Sequence, residues 1–156
     1  MDMRLLGLLV GATALLASCS RVCDVEKGGG ESEAGIVPGS AEDFAANVPN
    51  KVYFEFDSSR VTSSASKRVE SQAAWLKTYP ATSVSVEGHT DIRGTAEYNL
   101  ALGTARANST AKALRKHGVE ESRITVTSYG KERVADEGTS EEAHARNRRT
   151  ETIVSH

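Results

Sequence analysis

Ser83-Val84-Ser85-Val86-Glu87-Gly88-His89-Thr90-Asp91 is the segment that indicates most clearly how this 156-residue chain folds. Its first residues alternate polar and apolar side chains, which is typical of a strand with one covered face. A loop follows, and a helical pattern then runs from Ala96 to His117, with Gly118 suited to the left-handed conformation at a helix end. The stretch therefore predicts a strand, a loop and a long helix in that order, with Asp91 in the loop.

Patterns on both sides of this stretch predict the rest of one α/β domain. Val52, Phe54 and Phe56 alternate with polar residues, so we expect a strand that directs these three side chains inward. The other predicted elements are a helix from Thr62 or Ser63 to Tyr79, a strand over 123–129, a short helix over 140–146 and a strand over 149–154. Strands that alternate with helices predict a two-layer α/β sandwich, with four main strands and the helices packed on one face.

The loop and the long helix carry an acid and a base fifteen positions apart. Asn99, Leu102 and Arg106 are spaced i, i+3 and i+7, so they share one face of the helix. Arg106 offers a planar guanidinium that suits a carboxylate, and an ionised Asp91 accepts hydrogen bonds from an ammonium group. A ligand with both an amine and a carboxylate therefore suits the pair. The alternative is that Asp91 and Arg106 neutralise each other in a buried pair.

The N-terminal residues 1–18 have the pattern of an export signal. Arg4 precedes an apolar run from Leu5 to Leu16, which is shorter than the roughly 20 residues of a membrane-spanning helix and ends in small residues. Cleavage is favoured over an uncleaved membrane anchor. Leu-Ala-Ser followed by Cys19 resembles the lipobox of bacterial lipoproteins, which implies a lipidated Cys19, and Ser20 implies delivery to the outer membrane.

Residues 19–40 are expected to form a flexible tether behind that lipid, and residues 41–156 the folded domain. The tether segment contains Gly28-Gly29-Gly30 and Pro38-Gly39 with almost no large apolar side chains. The chain has a formal net charge of −2, and its folded part has no basic stripe interleaved with aromatic residues. This composition argues against nucleic acid as a partner.

Four separated motifs, found in one order, resemble the OmpA-like peptidoglycan-binding domain. They are Val52-Tyr53-Phe54-Glu55-Phe56-Asp57, then Gly88-His89-Thr90-Asp91-x-Arg93-Gly94 with Asn99-x-x-Leu102-Gly103-x-x-Arg106-Ala107, then Ser128-Tyr129-Gly130-Lys131-Glu132, and finally Asn147-Arg148-Arg149. The match covers about residues 51–154. The Leu102-Gly103 pair and the motif that begins at Ser128 point to the lipoprotein branch of this family.

The resemblance implies non-covalent recognition of the peptide stem of peptidoglycan at its meso-diaminopimelate residue. The aspartate and the arginine that hold this residue in the family match Asp91 and Arg106. Positions that line or support the family's pocket match Asp57, Thr90, Asn99, Leu102 and Arg148. Arg93 joins the set because, with Gly94, it supplies a turn at which the backbone can approach a ligand closely.

The same resemblance implies protein partners in the cell envelope. In the family's lipoprotein branch these are the periplasmic propeller protein TolB and other Tol components, with a role in drawing the outer membrane inward at division. The TolB surface overlaps the wall-binding face in the family, so competition between the two partners is a hypothesis.

Two other classes of function stand beside the binding module, namely a cell-wall hydrolase and a structural lipoprotein without a ligand. We expect no catalytic residue, no cofactor and no metal. The chain has no His-Glu-x-x-His, no nucleophile elbow and no Gly-rich phosphate loop. His89 is interpreted as a structural residue at a strand end rather than a metal ligand.

Overall fold

Four strands and four helices alternate along residues 36–155, the part of the chain that this computed structural model describes. Their bounds are α1 Ala41–Asn47, β1 Lys51–Tyr53, α2 Ser63–Thr78, β2 Ser83–His89, α3 Ala96–Lys116, β3 Ile124–Gly130, α4 Glu141–Asn147 and β4 Arg149–Ser155. A single 3₁₀ turn, Glu121–Arg123, leads into β3. The predicted signal peptide, Cys19 and the tether up to residue 35 lie outside the described residues.

The strands form one sheet in the order β1-β4-β2-β3. Strand β4 pairs antiparallel with β1 and β2, whereas β2 and β3 run parallel, with Val86 opposite Val126. The core joins sheet valines such as Val84 and Val86 to apolar residues of the helices, including Val69 and Leu114. The predicted two-layer α/β sandwich is confirmed.

Local sequence explains where the helices begin. A hydroxyl side chain at each N-cap accepts a hydrogen bond from a backbone N–H three residues further on, which satisfies one of the free donors of the first turn. The four N-caps are Ser40, Thr62, Thr95 and Ser140. Gly118 follows α3 with φ +92°, as its predicted role at the helix end requires.

Two glycines set the distance between α3 and the sheet. A Cβ on Gly88 of β2 would lie 2.0 Å from the carbonyl oxygen of Gly103, and a Cβ on Gly103 would lie 2.3 Å from Ser128 Oγ. Only hydrogen atoms fit in these places, so the backbone of α3 approaches β2 directly. This contact brings the N-terminal half of α3 to the end of β2, where Asp91 follows.

The start of the domain differs from the prediction at Phe56 and contains a helix that was not predicted. Strand β1 ends at Tyr53, so Phe54 is buried as expected but Phe56 is 61% exposed. Asp57 has φ 50°, and this left-handed residue turns the chain away from the strand path. Helix α1 was not predicted. It packs Phe44 against Trp75 of α2, and the Trp75 indole donates a 3.0 Å hydrogen bond to Asp43.

Within residues 36–155, no helix combines the length and the apolar character that crossing a bilayer requires.

Candidate ligand-binding pocket

A cavity of about 210 Å³ opens beside the end of β2, between the loop after β1, the loop after β2 and the first turns of α3. The β2 loop supplies its carboxylate, and α3 supplies the amide and the buried guanidinium. Its lining consists of Phe56, Asp57, Thr90, Asp91, Arg93, Gly94, Tyr98, Asn99, Leu102 and Arg106. Acidic, basic and apolar groups therefore converge on one concave surface, as in a typical small-ligand site.

Asp91 is the buried acid of this pocket, with 5% of its surface exposed. Its Oδ1 accepts a 3.1 Å hydrogen bond from the Arg93 backbone N–H, and its Oδ2 lies 2.6 Å from Arg93 Nη2. Burial raises the pKa of the Asp91 carboxyl, but the hydrogen bonds and the charge of Arg93 outweigh it and hold the pKa below its ordinary value. Asp91 is therefore an anion at neutral pH.

Arg106 is almost fully buried at 1% exposure. Its Nε, Nη1 and Nη2 donate hydrogen bonds of 2.8, 3.0 and 3.3 Å to the backbone carbonyls of Ser58, His89 and Glu55. Burial lowers the pKa of Arg106 to about 10, so it stays protonated. Three of its five N–H groups thus tie the β1 loop to the end of β2, and two take no part in these three bonds.

The buried pair that was the alternative reading of Asp91 and Arg106 does not form. The ion-pair partners of Asp91 within the described residues are Arg93 and Arg148, and Arg148 Nη1 lies 3.6 Å from Asp91 Oδ2. Arg106 interacts with Asp91 through longer-range attraction. The acid and the base therefore stand apart, with the cavity beside both.

Glu141, at the first position of α4, links the two arginines that contact Asp91. Its Oε1 lies 2.8 Å from Arg148 Nη1, and its Oε2 lies 3.4 Å from Arg93 Nη1. Asp91, Arg93, Glu141 and Arg148 therefore form a closed ring of alternating charge, which we call the ionic ring. The Arg148 Nε also donates to the carbonyl of Phe54, so this arginine is held in place from a second side.

Polar and aromatic groups shape the opposite rim. Asn99 donates hydrogen bonds of 2.7 and 2.9 Å from Nδ2 to the carbonyls of Arg93 and Thr95, which fixes the loop before α3. The Tyr98 hydroxyl donates to Asp57 across the pocket mouth. Arg93 lies over the exposed Phe56 ring, 4.4 Å from its centroid. The mouth is thus partly aromatic and solvent-accessible.

The structure brings together seven of the eight predicted ligand-binding residues. Arg148 does not line the cavity and reaches it through Asp91. Tyr98 was not given a role, although its spacing of four residues from Leu102 and eight from Arg106 places it on the same face of α3. Glu141 was also missed, because it lies 48 residues from Arg93 and the sequence carries no signal of this contact.

His89 ends β2 as interpreted, and it lies behind the pocket. It is 2% exposed, its Nδ1 lies 3.1 Å from the carbonyl of Arg133, and its ring stacks on Tyr129. Burial and the charge of Arg149 lower the pKa of His89 to about 4, so the ring is neutral and its Nδ1–H donates to Arg133. Residues 36–155 contain no group of three His, Cys, Asp or Glu side chains arranged to hold a metal.

Comparison with known proteins identifies the class. The OmpA family matches residues 53–148, a span that includes the β1 loop, all of the pocket and Arg148. The chain belongs to the OmpA family, as the motifs indicated.

Within that family, the chain is similar to proteins named peptidoglycan-associated lipoprotein. That of Legionella pneumophila is 42% identical over 95% of this chain and 93% of the relative, and that of Brucella melitensis biotype 1 is 37% identical over 89% and 84%. The crystal structure of the peptidoglycan-associated lipoprotein from Burkholderia pseudomallei superposes with a TM-score of 0.66 at 38% identity. It covers 68% of this chain and 90% of that one.

Proposed function

We propose that this protein binds the peptide stem of peptidoglycan non-covalently and holds the outer membrane to the cell wall. The observation that carries the proposal is a buried anionic Asp91 and a buried cationic Arg106 lining one open cavity. A diaminopimelate residue brings ammonium and carboxylate groups together, so one ligand complements both charges. The names of the similar lipoproteins support peptidoglycan as the polymer that carries this ligand.

In this proposal Asp91 accepts hydrogen bonds from a ligand ammonium, and the two remaining N–H groups of Arg106 donate to a ligand carboxylate. Leu102 offers an apolar contact to the aliphatic part of diaminopimelate, and Thr90 and Asp57 complete the polar lining. Asn99 and Arg148 act by positioning, since their donors hold the loop before α3 and the carbonyl of Phe54. No step requires a cofactor, and the role is binding rather than catalysis.

We further propose the envelope arrangement that the sequence indicated. A lipid on Cys19 inserts in the outer membrane, and the tether lets the domain reach the wall from the periplasmic side. Several acyl chains at about 0.8 kcal/mol for each buried methylene group hold such an anchor firmly. The relatives' names support a lipoprotein. TolB and other Tol components are the proposed protein partners, with a role in envelope integrity and cell division, as the family resemblance implies.

The proposal is tested by sedimenting the full-length chain, in a mild non-ionic detergent, with purified diaminopimelate-type sacculi. Asp91→Asn keeps the side-chain volume and removes the charge, and we expect it to lose about 2–5 kcal/mol of binding because a ligand ammonium is then left unpaired. Glu121→Gln, an exposed carboxylate paired with Arg115, is the matched control and binds like the parent.

Arg106→Ala is a less clean variant because it also removes three hydrogen bonds to backbone carbonyls. Circular dichroism therefore accompanies each binding measurement. Equal sedimentation of the parent and Asp91→Asn would show that the ligand binds at a site other than this pocket. Release of soluble muropeptides indicates a hydrolase, and failure of the parent to sediment leaves a structural lipoprotein without a wall ligand.

A further inference from the structure

Asp91 is already engaged by a cation in the free protein. Arg93 contacts both carboxylate oxygens, one through its backbone N–H at 3.1 Å and the other through Nη2 at 2.6 Å. A ligand ammonium that approaches Asp91 Oδ2 therefore finds this position occupied by the Arg93 guanidinium. Binding at Asp91 therefore involves an exchange of one cation for another.

The Arg93 side chain is placed for such an exchange. It is 41% exposed and lies over the Phe56 ring at the pocket mouth, whereas the Arg148 side chain is 7% exposed and held by Phe54 and Glu141. A partly exposed arginine moves between partners at little cost because water solvates it on the way. Arg148 thus stays beside Asp91, and Arg93 is the cation that leaves.

Glu141 gives Arg93 a second anionic partner. Its Oε2 is 3.4 Å from Arg93 Nη1 while Nη2 of the same guanidinium contacts Asp91. When Nη2 leaves Asp91, the guanidinium remains beside Glu141 and its charge stays compensated. Without Glu141, displacement of Arg93 would leave its charge to solvent alone.

We propose that Arg93 is an exchangeable counter-ion of Asp91, which a ligand ammonium displaces and which Glu141 retains. This inference rests on the proposed function and specifies how its pocket opens. The affinity for the peptide stem then depends on how much more favourably a ligand ammonium interacts with Asp91 than Arg93 does. The arrangement also rejects ligands without a cationic group, since these cannot replace Arg93.

The test is isothermal titration calorimetry, which measures the dissociation constant of the tripeptide L-Ala-γ-D-Glu-meso-diaminopimelate from the full-length chain in mild detergent. Arg93→Met keeps the length of the side chain and removes the competing charge, so we expect binding to strengthen about three- to fivefold, the factor that a partly exposed ion pair supplies. Arg115→Met is the matched control, because Arg115 is 40% exposed and paired with Glu121, and it leaves the affinity unchanged.

Glu141→Gln tests the second half of the proposal. Loss of the alternative partner strengthens the hold of Arg93 on Asp91, so binding weakens about two- to threefold. In the Arg93→Met background the same substitution has no effect on affinity. Glu142→Gln, the neighbouring acid in the first turn of α4, serves as its control.

The outcomes separate this inference from the proposed function. If the parent and Asp91→Asn bind the tripeptide equally, or neither binds, the proposed function fails. If the parent binds and Asp91→Asn does not, but Arg93→Met is unchanged or weaker, the wall-binding function stands and the exchange is overturned. An equal effect of Glu141→Gln in both backgrounds likewise removes Glu141 from the exchange.

Discussion

Two clusters of acids and arginines lie near the same end of β2, and each contains a carboxylate 2.6 Å from an arginine nitrogen. In the ionic ring the pair is Asp91 with Arg93, and in the second cluster it is Glu151 with Arg149. The arginine side chain is 41% exposed in the first pair and 6% exposed in the second. The two pairs thus have the same nitrogen–oxygen distance, but Arg93 can be displaced because it is partly exposed, whereas Arg149 is held in place because it is buried.

The second cluster, which we call the sheet-face cluster, consists of Glu87, His89, Arg149 and Glu151. Thr150 and Thr152 of β4 hydrogen-bond to side chains of α3 and α2. Because successive side chains of a strand point to opposite faces, Arg149 and Glu151 face away from the helices. The carbonyl of Arg133 covers this cluster and accepts hydrogen bonds from His89 and Arg149. Of these two pairs, only Asp91 with Arg93 adjoins a cavity and keeps its cation in contact with solvent.

The largest effect is expected at the contact between α3 and the sheet, because this contact brings α3 to the end of β2 and so forms the pocket. Gly88→Ala places a Cβ 2.0 Å from a backbone oxygen that cannot rotate away, and we expect a loss of about 4 kcal/mol or more. Gly103→Ala meets the Ser128 hydroxyl, which can rotate, so it costs less.

Urea unfolding followed by circular dichroism measures both glycine variants. Ala105→Ser, on an exposed position of α3, is the control and changes stability little. A Gly88→Ala protein as stable as the parent would show that α3 is not held at this distance.

The two arginines provide the direct contrast. Arg149→Met breaks a buried pair, so we expect a loss of about 3 kcal/mol, moderated because Arg149 Nη1 is buried with no hydrogen-bond partner in the part of the chain that the structure describes. Arg93→Met costs less than about 1 kcal/mol because its pair is partly exposed. The free energy of unfolding of both variants is measured in urea at neutral pH. Equal losses of stability in the two variants would show that the two clusters do not differ in this respect.

The remaining effect concerns the titration of His89 in the sheet-face cluster. Its pKa is about 4 in the folded protein, whereas its ordinary value is 6.5. Between these values the unfolded chain binds a proton that the folded chain does not, so stability falls as the pH drops from about 6.5 to 4, by about 3 kcal/mol.

His89→Asn keeps a donor for the Arg133 carbonyl and removes the titration. Its stability is expected to vary less with pH over the same window, as measured by thermal unfolding at matched ionic strength. His117→Asn, on the half-buried residue after α3, is the control for the replacement of a histidine outside the sheet-face cluster. An unaltered pH dependence in His89→Asn would assign the loss to other groups.

The order of the strands along the chain could be predicted from local periodicity, whereas the family and most of the pocket residues were predicted from four motifs that resemble the OmpA-like domain. Asn99, Leu102 and Arg106 were assigned to one helix face by their spacing alone, and the structure places all three in the cavity lining. Phe56 could not be placed in this way. The alternation continues through it, but β1 already ends at Tyr53, and Phe56 lies in the loop before the left-handed Asp57 with its ring exposed.

Local sequence was enough to show which groups carry charge, which residues share a helix face and where α2, α3 and α4 begin, since these depend on neighbours within a few positions. How the charges are paired depends on the tertiary fold. Arg106 donates to carbonyls 48 and 51 residues away, and Arg93 meets Glu141 across 48 residues. Such contacts arise from the packing of α3 and α4 at the end of the sheet, and no local pattern encodes them.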